Sequence, residues 1–111
     1  MIDKEIEKNR YNEFSRYNAG SSKADEYLKL LGANSIPIVY RPPYSAYEKH
    51  LENLIKSNKN IKLLDLCCGD GVHSFTGALY GAEVIALDYA ENSILLAKRR
   101  SELNCVEVDF R

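Results

Sequence analysis

Tryptophan is absent from this 111-residue chain, methionine occurs once, and cysteine and proline occur three times each. Cys67, Cys68 and Cys105 are odd in number and lack the spacing of a disulfide framework. The adjacent pair also lacks the second pair or nearby histidines that a zinc site requires. The thiols are therefore expected to be buried and reduced, in a cytoplasmic protein that holds no metal. An excess of charge of one sign is missing too, since the formal net charge is −1. Residues 1–60 carry ten Lys/Arg against eight Asp/Glu, and residues 61–111 carry five against eight. Neither half has the basic excess of a phosphate-tracking surface, which argues against a nucleic-acid partner. No apolar run approaches the roughly 18 residues of a membrane span. The charged start Met1-Ile2-Asp3-Lys4-Glu5 has no apolar signal-peptide core. A membrane partner is not expected.

What remains is the composition of one globular domain, with 45% hydrophobic and 28% charged residues. Ile2, Ile6, Phe14 and Tyr17 lie among many charges and predict a weakly amphipathic helix over 2–17. Ser22, with Asp25 three residues on, reads as a capping box. Ala24, Tyr27, Leu28 and Leu31 then share one helical face, which Gly32 ends. Pro37, Pro42 and Pro43 predict an extended, irregular stretch from Ala33 to Tyr44. Ser45 with Glu48 is a second capping box, and Tyr47, Leu51, Leu54 and Ile55 form a helical stripe.

The second half has a different rhythm. Ile61–Leu66 is a nearly continuous apolar strand, the pattern of a parallel sheet covered on both faces. Gly69-Asp70-Gly71 is a tight turn, and Val72, Phe75 and Leu79 follow at helical spacing until Gly81. Glu83–Asp88 is a second strand. Ile94, Leu95 and Ala97 mark a further helix, with Lys98, Arg99 and Arg100 placed near its carbonyl end. Cys105–Asp109 is a third strand. Strand, helix, strand, helix, strand with short links predicts right-handed parallel crossovers in a three-layer α/β sheet.

The chemistry concentrates at the first strand-to-helix turn. Glycines there let the backbone approach a ligand, and the helix start offers unpaired N–H groups. Asp88 ends the second strand, where a carboxylate can accept from both ribose hydroxyls of a nucleoside. A dinucleotide fingerprint would need a third glycine, but Ser74 stands there. Asp65, four residues before Gly69, suits a cationic or zwitterionic ligand better than a pyrophosphate.

Leu63-Leu64-Asp65-Leu66-Cys67-Cys68-Gly69-Asp70-Gly71 resembles the first motif of class I S-adenosylmethionine-dependent methyltransferases. Gly71-Val72-His73-Ser74, Gly81–Asp88 and Ile94–Lys98 resemble the same family, so the likeness runs from about Ile61 to Asp109. The resemblance implies S-adenosylmethionine as cofactor. It implies that Asp65, Gly69 and Gly71 line the methionine end and that Asp88 holds the ribose. Tyr89 would lie against the adenine, and Asp109 would face the adenine amine. Cys67 stands where the family has its first glycine, which puts a side chain where the backbone passes closest to the cofactor. Ala90 stands where the family often has a Ser or Thr helix cap, a loss of typically about 1 kcal/mol.

Tyr40, Tyr44 and Tyr47 cluster with Arg41 just before the first strand. They are either packing for an N-terminal cap or a lid, with Tyr44 over the cofactor's sulfonium. His73 is either a surface or packing residue or a base.

The family fold has about seven strands, and the first three lie side by side. The expected fold is thus a Rossmann-like parallel sheet, incomplete at three core strands. Residues 1–60 form a helical cap or lid, and residues 61–111 the first half of the core. The expected function is methyl transfer to a small-molecule acceptor, or else a non-catalytic truncated module that acts through oligomerisation or a partner chain. The apolar edge at 61–66 is expected to be covered by a second copy, a partner chain or the N-terminal segment.

Overall fold

The structure is a computed structural model that describes residues 3–14, 20–29 and 38–111. Helix α1 (Lys4–Phe14) and helix α2 (Ser22–Leu28) precede a 3-10 turn (Ile38–Tyr40) and helix α3 (Arg41–Ser57). Then come β1 (Lys62–Leu66), α4 (Val72–Leu79), β2 (Glu83–Leu87), α5 (Glu91–Asn104) and β3 (Asp109–Phe110). The strands are parallel in the order β1-β2-β3, with Leu63 opposite Val84 and Ile85 opposite Asp109. The α/β class and the parallel crossovers agree with the sequence pattern. The third strand is shorter than expected, because Cys105 turns left-handed at φ 53° to end α5 and residues 106–108 run on outside the ladder.

Local chemistry corrects several of the expected boundaries. Ser21, not Ser22, caps α2, accepting from the Ala24 N–H at 3.1 Å. This frees the Asp25 carboxylate to take the Arg99 guanidinium in two bonds of 2.9 and 3.0 Å. The expected continuation to Leu31 and Gly32, like Tyr17 and Pro37, lies outside the described residues. Helix α3 begins at Arg41, so Pro42 and Pro43 sit in its first turn instead of in an extended loop. A first turn needs no N–H from proline and matches its fixed φ, so these prolines start the helix. The Ser45 capping box is therefore internal. The buried stripe of α3 is Tyr44, Leu51 and Ile55, while Tyr47 and Leu54 are exposed. Ile6 of α1 is exposed as well. Lys98, Arg99 and Arg100 lie mid-helix, since α5 continues to Asn104, so the macrodipole does not explain them.

The larger correction concerns the layers. Leu63, Asp65, Val84 and Ala86 point to one sheet face, and α3, α4 and α5 all pack there. Leu51, Ile55, Ala82 and Val84 form one buried cluster, and Cys68, Ala86, Ala97 and Phe110 another. Each large aliphatic buried there contributes about 1.5–3 kcal/mol. The opposite face carries Leu64 and Leu66, which are 59% and 63% exposed, beside half-buried Ile85 and Leu87. Among the described residues, the fold has two layers and not three. The apolar run of β1 reflects one face packed here and one face left open. Only Cys68 of the three free thiols is buried, and Cys67 and Cys105 are exposed.

Candidate functional site

The parallel strands β1 and β2 deliver two loops to the same end of the sheet. After β1 the backbone turns through Cys67 (φ 59°), Gly69 (φ 56°) and Gly71 (φ 81°), three left-handed positions in five residues. That conformation is natural for glycine and strained for other residues. The turn is tied by the Cys68 N–H to the Leu87 carbonyl at 2.9 Å, and by the Gly71 N–H to the Cys68 carbonyl at 3.0 Å. Gly71 then caps α4 with no side chain of its own.

Asp88 joins the two loops. Its Oδ2 accepts from the Gly69 N–H at 2.8 Å, and its Oδ1 accepts from the Ala90 N–H at 2.7 Å. A carboxylate has about four acceptor positions, so two remain for a ligand. The same bonds organise the start of α5, where Ala90 offers no side-chain cap. Cys67, Gly69, Asp88 and Tyr89 line one cavity of about 340 Å3 together with Glu7 and Ser93. The cavity lies at the lower end of the roughly 300–1,000 Å3 range of small-molecule sites.

The other sequence candidates stand elsewhere. Asp65 is half-buried and accepts from the Ser74 hydroxyl at 2.6 Å. Ser74, in the place of a third fingerprint glycine, thus anchors α4 to β1. Gly71 is buried under α5. Asp109 is exposed and paired with Arg111 at 2.8 Å, and this partner holds its carboxyl below the usual range. Tyr44 is buried, with its hydroxyl 2.8 Å from the Thr76 hydroxyl and its ring stacked on His73 at 5.0 Å. It is not among the residues that line the cavity. Tyr47 also meets the His73 ring, edge-on at 4.7 Å. Burial pushes the Cys68 thiol up to about 12, with Asp65 and Asp88 adding to it, so it is no nucleophile at neutral pH. Among the described residues there is no cluster suited to a metal ion and no helix long and apolar enough to cross a membrane.

Glu7 and Ser93 were not legible as site residues. Ser93 falls in the first turn of α5, a position that the strand–helix pattern could have flagged. Glu7 reaches the cavity only because α1 lies along α5, held by the Lys8–Glu91 ion pair at 2.7 Å. Nothing local in the charged sequence of α1 signals that.

The family described as Tellurite resistance protein TehB matches residues 40–109 of this chain. The chain belongs to the TehB family. That family is one of class I S-adenosylmethionine-dependent methyltransferases. The ubiquinone biosynthesis O-methyltransferase of Pelagibacter ubique is 38% identical over 86 residues, which cover 78% of this chain and 36% of that protein. Among solved structures, an S-adenosylmethionine-dependent methyltransferase from Agrobacterium tumefaciens superposes with a TM-score of 0.56 at 26% identity. It covers 62% of this chain and 23% of that one. The PH0226 protein from Pyrococcus horikoshii gives 0.50 at 34% identity, covering 61% and 33%. The chain thus matches about a third or less of the length of these proteins.

The turn leaves room for a ligand at Gly69. A Cβ built on Gly69 meets nothing within 4 Å, so the backbone there faces open space. Cys67 carries the opposite signal, an exposed side chain held left-handed. Cys67→Gly is expected to relieve roughly 1 kcal/mol of backbone strain, partly offset by the freer unfolded chain. A small upward shift of the urea midpoint checks it; a downward shift would mean the thiol packs usefully.

Proposed function

We propose that this chain supplies the S-adenosylmethionine-binding part of a methyltransferase whose acceptor is a small molecule. The observation that carries the reading is the convergence of Gly69, Asp88 and Tyr89 on one cavity at the carboxyl ends of β1 and β2. Asp88 would accept from ribose hydroxyls, the Gly69 backbone would let the cofactor approach, and Tyr89, 58% exposed, would offer a face for the base. When bound, the cofactor supplies a methyl group already activated on a sulfonium. The chain's own task is then proximity and alignment. Near-neutral charge supports a small acceptor over a polyanion, and the O-methyltransferase relative favours an oxygen acceptor. An alcohol or phenol must also lose its proton, which calls for a base near the acceptor.

A second reading follows from the open sheet. Exposed Leu64 and Leu66, and the side of β1 that is unpaired among the described residues, support a module that works with a second copy or a partner chain laid against them. Titration calorimetry separates the cofactor classes: S-adenosylhomocysteine is expected to bind and NAD is not. Binding of NAD alone would overturn the proposal. Methyl transfer by the 111-residue chain alone would favour the first reading. A dimer or larger species by light scattering, with binding and no turnover, would favour the second.

A further inference from the structure

The middle residue of the glycine turn is held from outside the sheet. Asp70 sits between Gly69, which lines the cavity, and Gly71, which caps α4. Its carboxylate Oδ2 accepts from the Tyr27 hydroxyl of α2 at 2.8 Å. Its main-chain carbonyl accepts from Arg100 Nε of α5 at 3.1 Å, and Arg100 Nη2 stands 3.5 Å from Oδ2. Arg100 is only 1% exposed, and its guanidinium lies over the Tyr27 ring at 5.2 Å. Three segments far apart in sequence therefore meet at one residue of the turn.

The rest of α2 is built to deliver that hydroxyl. Ala24 and Leu28 are fully buried against Leu96 of α5. Asp25 takes Arg99 in two bonds, and Asn104 Nδ2 donates to the Leu28 carbonyl at 2.9 Å. These contacts secure α2 to α5 without touching the turn. Tyr27 passes from α2 to the turn in a direct hydrogen bond, to a charged acceptor and half-buried, where such a bond is strong.

We propose that Tyr27 and Arg100 are positioning residues that clamp Asp70, so that docking of α2 sets the shape of the cofactor turn and cofactor binding in turn holds α2 down. The proposal rests on the cofactor reading of the cavity. Reciprocity is required by linkage: if docked α2 favours the binding shape of Gly69, the bound ligand must favour docked α2. Tyr27→Phe removes the one hydroxyl and keeps the ring over Arg100.

Amide exchange on the unliganded protein tests the clamp without any ligand. In Tyr27→Phe the Gly69 and Gly71 amides are expected to exchange several-fold faster, while the amides of β2 keep their wild-type rates. Uniform acceleration everywhere, or none at the turn, would overturn the clamp, because mere loss of stability moves all amides together. Calorimetry with S-adenosylhomocysteine tests the coupling. About ten-fold weaker binding is expected for Tyr27→Phe. Asp70→Asn, which keeps an acceptor for Tyr27, is expected to bind more tightly than Asp70→Ala. Wild-type affinity in Tyr27→Phe and Asp70→Ala would overturn the coupling. A wild-type chain that does not bind S-adenosylhomocysteine would instead overturn the cofactor reading, and the amide rates would still judge the clamp.

Discussion

Gly71→Ala is expected to remove about 3 kcal/mol of stability, from roughly 1–2 of left-handed backbone strain and 1–3 of overpacking. The added Cβ would stand 2.9 Å from the Ala97 Cβ and 3.3 Å from both the Ala97 Cα and the Phe110 ring. Ala97 is completely buried in the middle of α5 and has no flexible end to swing away. The methyl would therefore push α5 off the start of α4. Gly69→Ala is the matched control. Its φ of 56° imposes similar strain, but its Cβ meets nothing within 4 Å. Urea unfolding of the two variants separates the effects: Gly69→Ala is expected to lose about 1 kcal/mol. A domain holds only about 5–15 kcal/mol in total, so Gly71→Ala would be partly unfolded under mild conditions. Equal losses in the two variants would show that the close approach of α5 does not limit the fold.

Asp88→Ala is expected to act on folding and binding together. It leaves the Gly69 and Ala90 N–H groups without their carboxylate, two bonds to a charged acceptor worth about 1.5–3 kcal/mol each at most. Partial exposure lets water replace some of that, so a loss of about 2 kcal/mol in urea is expected. Binding of S-adenosylhomocysteine is expected to fall by roughly 100-fold or more, since the ribose acceptor and the brace on Gly69 are lost at once. Asp88→Asn should fall between, because its carbonyl can serve one N–H while its amide opposes the other. Unchanged affinity in Asp88→Ala would remove Asp88 from the ligand site and leave it a purely structural brace.

Gly69 and Asp88 could be placed at one end of the sheet from the sequence because each belongs to a turn or strand end whose geometry is local, whereas Tyr89 was named only through the family resemblance. A strand followed by a glycine turn and a helix brings its C-terminal end to the ligand side whatever the rest of the chain does. Asp65 and Ser74 were read separately, as a ligand carboxylate and as a missing glycine. The structure joins them in one hydrogen bond across nine residues. Tyr44 has the composition of a lid residue, yet Thr76 and His73 take up its hydroxyl and its ring. Glu7 was invisible because its place depends on how α1 lies on α5.

By itself, the sequence determined the parallel α/β order, the glycine turn and the acid at the end of β2, since period, turn chemistry and crossover handedness are properties of short segments. It placed the chain by resemblance among methyltransferases, and the TehB match bears that out. Tertiary structure alone decided that, among the described residues, the helices that pack on the sheet lie on one face, that Leu64 and Leu66 stay open, and that α2 reaches Asp70 through Tyr27. An apolar strand reads the same whether one face or both are covered, because hydrophobicity reports a capacity for burial and not the neighbour that provides it. Contacts between residues such as Tyr27 and Asp70 come from the packing of whole helices, and no spacing in the sequence encodes that.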